Sequence, residues 1–360
     1  MKRRAHSFLL LAAGFFALYA LTAQRGTGWG DSAEFQEWAL GGVSLVCGPH
    51  FSNAHPFYVG FCRLVASGPT SVTLVSSIFG ALAVALFFLC TDSFALAALL
   101  GLSQMVWWLS TVAEVQTMNL AFTAFETWCL VECGRSGRRA LAWLCAAALA
   151  AGVHLCVHNF ALLALPVYAF FLARFALARR GADRAVAAVA PLACWVAGAS
   201  YWLWSLAARG PADVLYGAYG AKVAGALPAS WTATAFNFAL VSLSFAVPVA
   251  VAWWERRRVR WVESAPDRML LALFAVNFVF FVRYFVPDQS QFVLPTLFYA
   301  YMLLRKASVR PTRLAALAAV QVLLPVFAYL VARELPTPAE REGRHPGRDD
   351  ARYFILPWKV

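Results

Sequence analysis

Eleven apolar runs of about 16–22 residues recur along the chain, each long enough to cross a bilayer as a helix. They are Ser7–Ala23, Ser71–Cys90, Phe94–Thr111, Val115–Cys133, Ala140–Cys156, Asn159–Leu177, Ala185–Ala207, Ala235–Trp254, Met269–Val286, Ser290–Leu304 and Leu314–Ala332, the first and tenth being short. In lipid every backbone N–H and C=O must be paired within the protein, which leaves helices or a closed barrel. The runs are continuous rather than alternating, so a barrel does not fit. The expectation is an all-α, polytopic membrane protein of about eleven transmembrane helices. Composition agrees: 61% of residues are hydrophobic and only 13% are charged, so each Asp or Glu needs a loop or a role.

The Lys and Arg residues predict orientation. With the N-terminus cytoplasmic, Lys2-Arg3-Arg4, Arg135, Arg138, Arg139, Arg179, Arg180, Arg184, Arg256–Arg258, Arg260, Arg268, Arg305, Lys306, Arg310 and Arg313 fall on one side. The opposite loops before the tail hold only Arg25, Arg63, Arg209 and Lys222. The net charge of +12 is then a topology signal and gives no reason to expect nucleic acid. The basic start and apolar run resemble a signal peptide, with a cut site conceivable near Leu21-Thr22-Ala23; a retained first helix suits the remaining topology better. Cys47 and Cys62 share the first external loop, as a disulfide or as a free buried pair.

Residues 1–332 form one expected membrane domain without internal repeats, and 333–360 a short external tail with a mobile middle. Two external segments are long, Gln24–Thr70 and Arg209–Thr234. In the first, Asp31–Val46 and Pro56–Val65 read as short interfacial helices broken at Gly48-Pro49.

Asp31 and Glu34 head the candidate site. At helical spacing they share a face, either as a capping-box-like pair or as a general base with a partner that orients it or holds a divalent cation. Glu114 sits at a tight external turn, as a solvated turn carboxylate or a substrate holder. His154 and His158 are four apart, too few for zinc, and read as polar lining of a cavity. Asp288 occupies another external turn, with Arg283 near enough to pair with it or to bind phosphate. His55, Tyr58 and Arg63 belong to the first loop. The topology puts these carboxylates and histidines on the non-cytoplasmic face, whereas a transporter would more often place ionisable groups near the midplane.

Gly30-Asp31-Ser32-Ala33-Glu34-Phe35 after a first span resembles the Asp-Ser-Gly-Glu-Phe signature of protein O-mannosyltransferase-like membrane proteins, part of the GT-C glycosyltransferase class. His55-Pro56-Phe57-Tyr58, Ala113-Glu114-Val115 after Trp107-Trp108, and Pro287-Asp288 leading to Phe292-Val293-Leu294-Pro295 are looser matches. Ala33 replaces the family's Gly, and the Pro-Gly part of the second motif is missing. The resemblance implies a GT-C fold and an inverting transfer of sugar, with mannose the family-based expectation, from a polyprenyl-phosphate donor to a protein or glycan hydroxyl. It makes Asp31 the base; Glu34 would orient it or hold a cation, and because charge on the leaving phosphate must be stabilised, Arg63, Arg283 or His154 is expected opposite the carboxylate. The rival readings are a transporter or lipid flippase, and a non-catalytic relative of the same fold.

Overall fold

A computed structural model describes residues 2–28, 30–41, 55–216, 231–283, 289–307, 309–332 and 355–358. The described elements are helical, with no strand among them. In chain order they are α1 (Lys2–Thr22), α2 (Asp31–Gly41), α3 (Pro56–Val65), α4 (Pro69–Thr91), α5 (Phe94–Gly101), α6 (Gln104–Leu109), α7 (Gln116–Arg135), α8 (Ala140–Val157), α9 (Leu165–Leu177), α10 (Gly181–Gly198), α11 (Ser200–Arg209), α12 (Trp231–Glu255), α13 (Ala265–Arg283), α14 (Leu294–Leu303) and α15 (Pro311–Ala332). Short 3₁₀ turns, among them Asn159–Ala164 and Gln289–Val293, link some of them.

Each of the eleven apolar runs is mainly helical in its described residues, but not all are single spans. Seven helices among the described residues are long and apolar enough to cross a membrane, and the pair α10 and α11, bent by 63°, makes an eighth if read as one broken span. The expected count of eleven is therefore not reproduced. Phe94–Thr111 breaks at Leu102-Ser103, where Ser103 turns to extended backbone and its hydroxyl donates to the Leu100 carbonyl at 2.6 Å. Val115–Cys133 becomes α7, whose Gln116, Asn119, Glu126 and Glu132 lower its apolarity although most of it is buried. Ser290–Leu304 divides into a 3₁₀ turn and the short α14.

Local sequence explains several boundaries. Proline opens α3, α4 and α15, where its missing N–H has no helical partner to lose. The Ser93 hydroxyl caps α5 by accepting from the Leu96 N–H. α4 is the central helix: 72% of its apolar window is buried inside the protein, against 11% for the Asn159–Leu177 helix, whose apolar surface is left for lipid. α8 and α10 approach backbone to backbone at Gly152 and Gly198, where a Cβ on either would run into the partner's main chain.

The bundle has two distinguishable ends. At one, Arg4 pairs with Asp92 (2.8 Å) and Glu132 (3.1 Å), and Arg135 pairs with the same two acids. Phe87, near that end of α4, meets Tyr301, one turn before Arg305, which pairs with Asp267. At the other end the Trp107 indole donates to Thr22 (3.0 Å), and the Gln24 N–H donates to the Thr111 carbonyl (2.7 Å). Here the short segment 355–358 docks. Thr111 donates to the Pro357 carbonyl at 2.9 Å, and the Trp358 ring packs on Trp107 at 5.2 Å. Arg4 and Trp358 thus lie at opposite ends of α1.

Candidate active site at the Trp107 end

α2 begins one short loop after α1. Gly30, with φ +56°, turns the chain, and its carbonyl accepts from the Ala33 and Glu34 N–H groups. Asp31 is the first helical residue, so Gly30 rather than Asp31 stands at the cap position. Both carboxylates lie in the first turn, where the helix dipole favours negative charge. Their side chains reach solvent. The surrounding protein nevertheless strips enough water from Asp31 to hold its carboxyl above the usual carboxylate range.

Gln36 anchors this helix. Its amide oxygen accepts from the Gly28 N–H at 2.6 Å, and its nitrogen donates to the carbonyls of Gly26 (3.2 Å) and Pro69 (3.1 Å). α2 is thereby tied to the preceding loop and to the start of α4. Arg63 grips it from α3, donating from Nε and Nη2 to the Trp38 carbonyl at 3.1 and 2.8 Å. That bond assigns Arg63 a part in holding α2, beyond the phosphate-binding role the sequence suggested.

Tyr58 and Ser76 connect α3 to the turn carrying Glu114. Ser76 donates to the Glu114 carbonyl and accepts from the Glu114 N–H, both at 2.9 Å, and lies 3.0 Å from the Tyr58 hydroxyl. The Ser76 proton is committed to a carbonyl, so Tyr58 donates to Ser76. Glu114 is buried, and its charge is felt at the Tyr58 hydroxyl. The Tyr58 ring lies 5.3 Å from Phe35, one turn after Asp31. A short path therefore joins Asp31, Phe35, Tyr58, Ser76 and Glu114.

His55 immediately precedes α3 in left-handed backbone (φ 44°, ψ 65°), strained for a residue with a Cβ. Its Nδ1 donates to the Val157 carbonyl at 2.8 Å. Its ring meets Phe35 edge-on at 5.6 Å and stacks on His158 at 4.8 Å. Burial pushes His55 down to about 4, and burial with two neighbouring imidazoles pushes His158 well below the ordinary histidine range. Both rings are neutral at physiological pH.

His154 and His158 do not share a helical face as their spacing predicts. His154 lies inside α8, while His158 caps its end in extended backbone and accepts from the Phe160 N–H at 3.1 Å. His154 is buried between Glu126 (2.7 Å from Nδ1) and Asn119 (2.6 Å from Nε2). It belongs to the helix interior, not to a cavity wall or a phosphate site. Phe160 in turn packs on Phe280 (4.5 Å) and Phe292 (4.9 Å), bringing the last turn of α13 and the Gln289–Val293 turn to this end. Asp288 and the Arg283 side chain lie outside the described residues, as do Cys47 and the end of the expected Asp31–Val46 helix. Cys62 is a buried free thiol. No group of three or more His, Cys, Asp and Glu among the described residues is arranged to hold a metal ion.

Sequence reasoning missed Gln36, Gln116, Asn119, Glu126 and Tyr168. Glu126 carried a readable signal, because an ionisable group within an apolar run demands a partner. Gln36 carried none, since its importance depends on which loops surround it.

The apolar helices form a bundle with the short helices α2 and α3 packed at one end, after the first span. Crystal structures of ArnT from Cupriavidus metallidurans, a GT-C enzyme, superpose on it over nearly the whole chain. In the apo state the TM-score is 0.61 at 15% identity, covering 97% of this chain and 68% of ArnT. In the structure bound to undecaprenyl phosphate it is 0.58 at 15% identity, covering 96% and 67%. The chain therefore has the GT-C fold and is a multi-pass membrane protein. Residues 90–177, from the end of α4 through α9, match the family model described as the protein O-mannosyl-transferase TMEM260 N-terminal domain. No curated protein matches as a relative.

Proposed function

We propose that the protein is a membrane glycosyltransferase that moves a sugar from a polyprenyl-phosphate donor to an acceptor hydroxyl. The observation that carries the proposal is the position of Asp31. In a GT-C fold, a carboxylate at the first turn after the first span, with its proton affinity raised, is placed to serve as a base. The undecaprenyl phosphate bound to ArnT supports a lipid donor, and the O-mannosyltransferase family match supports mannose as the first sugar to test.

The acceptor oxygen attacks the anomeric carbon, and the bond from that carbon to the phosphate oxygen breaks. The acceptor proton passes to the Asp31 carboxylate, and polyprenyl phosphate leaves with the bonding pair. Configuration inverts in a single displacement. Glu34 orients Asp31 or shares a divalent cation with it. Tyr58, His55, His158 and Glu114 form the wall behind them. The sequence expectation adds Arg283 and Asp288 on the external face, with Arg283 assigned to the leaving phosphate. The positive-inside pattern supports a cytoplasmic Arg4 end and an external or lumenal site.

The test is transfer by the protein in lipid nanodiscs supplied with radiolabelled polyprenyl-phosphate sugars, mannose first, and with hydroxyl-bearing peptide and glycan acceptors. Labelled acceptor that disappears with Asp31→Asn supports the proposal. Movement of intact donor across a sealed vesicle without transfer would replace it with the flippase reading. Neither activity with any donor would favour a non-catalytic relative.

A further inference from the structure

Behind the candidate site a line of buried polar side chains enters the bundle. Gln116, Asn119, Thr123 and Glu126 occupy one stripe of α7 at helical spacing, reaching about 15 Å along its axis. The chain of contacts runs from His158 Nε2 to the Gln116 amide (3.3 Å), then to the Asn119 amide (3.2 Å), to His154 Nε2 (2.6 Å) and from His154 Nδ1 to Glu126 (2.7 Å). The Tyr168 hydroxyl donates to the other Glu126 oxygen at 2.9 Å. His158, Gln116, Asn119, His154 and Glu126 are all buried.

The direction of every link follows from its two ends. The Phe160 N–H can only donate, so His158 Nδ1 accepts and the ring's single proton sits on Nε2. His158 therefore donates to Gln116, which must turn its amide oxygen toward the ring. As placed, the Asn119 nitrogen donates to the Gln116 oxygen and the Asn119 oxygen faces His154 Nε2; with both amides turned over, the Gln116 nitrogen donates to the Asn119 oxygen and the Asn119 nitrogen to His154 Nε2. Amide ends are interchangeable in shape, so both can adopt this sense without moving a heavy atom. The His154 proton is left on Nδ1, where the Glu126 carboxyl oxygen at 2.7 Å accepts it. Reversing the chain would set the His158 Nδ1 proton against the Phe160 N–H.

We propose that Glu126 is a positioning residue of the site: it terminates a one-way hydrogen-bond chain that starts at the Phe160 N–H, sets the His154 proton on Nδ1 and fixes the His158 ring on which His55 stacks. This rests on the proposed function only in calling that end the active site. The chain is a property of the fold and can be tested without a substrate. Neutral His158, forced by burial and its imidazole neighbours, meets the one-proton condition. The consequence for His55 is specific. His158 and His154 have both ring nitrogens engaged, and His55 has Nδ1 committed to Val157, which leaves His55 Nε2 as the acceptor nitrogen of the three rings.

The experiment is nitrogen NMR of ¹⁵N-histidine-labelled protein in nanodiscs, with His154→Gln and His158→Gln assigning the signals. The proposal expects His154 neutral with its proton on Nδ1, and His158 neutral with its proton on Nε2. A wild-type His154 protonated on Nε2, or a His158 protonated on Nδ1, would overturn it. In Asn119→Asp the new carboxylate cannot donate, so His154 should become doubly protonated while His158 is unchanged. Absence of that change would also overturn it.

Glu126→Gln can still accept from His154 and should keep the wild-type tautomers and most of kcat. Glu126→Leu should mix the His154 tautomers, while the Phe160 N–H still holds the His158 proton on Nε2, and should lower kcat roughly 10–100-fold with little change in KM, the signature of a displaced group, not a lost binding contact. Should Glu126→Leu fail to fold, the wild-type tautomers and Asn119→Asp decide the matter. Should no transferase activity be found, the NMR result stands by itself and only the proposed function falls.

Discussion

Asp31→Asn separates chemistry from structure because the two roles of this carboxylate carry different magnitudes and different signs. As a first-turn anion it interacts with the helix dipole, worth about 0.3–1 kcal/mol at an exposed position. Its proton affinity in the fold is nevertheless raised, so desolvation outweighs the dipole. A carboxyl whose folded pKa lies above its unfolded value contributes stability below the unfolded pKa and loses it as pH rises through the folded one. Near pH 7 the ionised Asp31 is therefore a small liability. Replacing it with a neutral amide should leave the unfolding temperature unchanged or slightly higher. The catalytic effect is of another order. Loss of a general base slows transfer roughly 10²–10⁴-fold, which is about 3–5 kcal/mol of barrier. The assay pairs radiolabelled sugar transfer in nanodiscs with thermal unfolding of the same preparation. The wild-type rate should also climb with pH through the raised Asp31 pKa, and the Asn variant should lose that limb. Transfer within about threefold of wild type in a stable Asn variant would refute the base assignment. A large fall in both activity and stability would refute the separation of roles.

His55→Ala should destabilise the fold by about 1–2 kcal/mol, because left-handed strain remains while the Val157 hydrogen bond and the ring stack are lost; His55→Gly, which relieves the strain, should recover part of that in a thermal melt. Gly152→Leu should separate α8 from α10 at a cost of about 1–3 kcal/mol or more, seen as a lower unfolding temperature in detergent. Trp358→Ala should uncover Trp107, shift its fluorescence to the red and cost about 0.5–1.5 kcal/mol, whereas an unchanged spectrum would mean that the 355–358 segment is not docked in solution.

The helical architecture was legible because hydrophobicity must persist wherever a backbone crosses lipid. The eleven runs mark helices closely: Ser71–Cys90 lies within α4, and Leu314–Ala332 within α15. What hydropathy misread is continuity. Phe94–Thr111 is apolar on average, yet Ser103 at its middle satisfies its own turn, and a break buried in protein does not face lipid. α7 shows the converse. Its polar residues disqualify it as a lipid-exposed helix, but packed among neighbours it buries them in pairs. Apolarity reports what lipid tolerates and does not report what protein can shield.

The candidate site divides along the same line. Asp31 and Glu34 were readable because few charges occur in so apolar a chain, and local spacing sufficed to bring them together on α2. His55 and Glu114 were readable as individual residues, while their joining through Phe35, Tyr58 and Ser76 depends on how α3 lies against α4. The His154–His158 pair misled because its spacing assumes a helix that continues, and α8 ends at Val157. That ending turns His158 toward His55 and leaves His154 to Glu126. One backbone break thus decides which histidine faces the site and which anchors the chain behind it. In a one-dimensional pattern both are merely polar residues near the end of an apolar run. The distinction appears only when the Phe160 N–H and the Glu126 carboxylate are seen to hold the two ends of one chain.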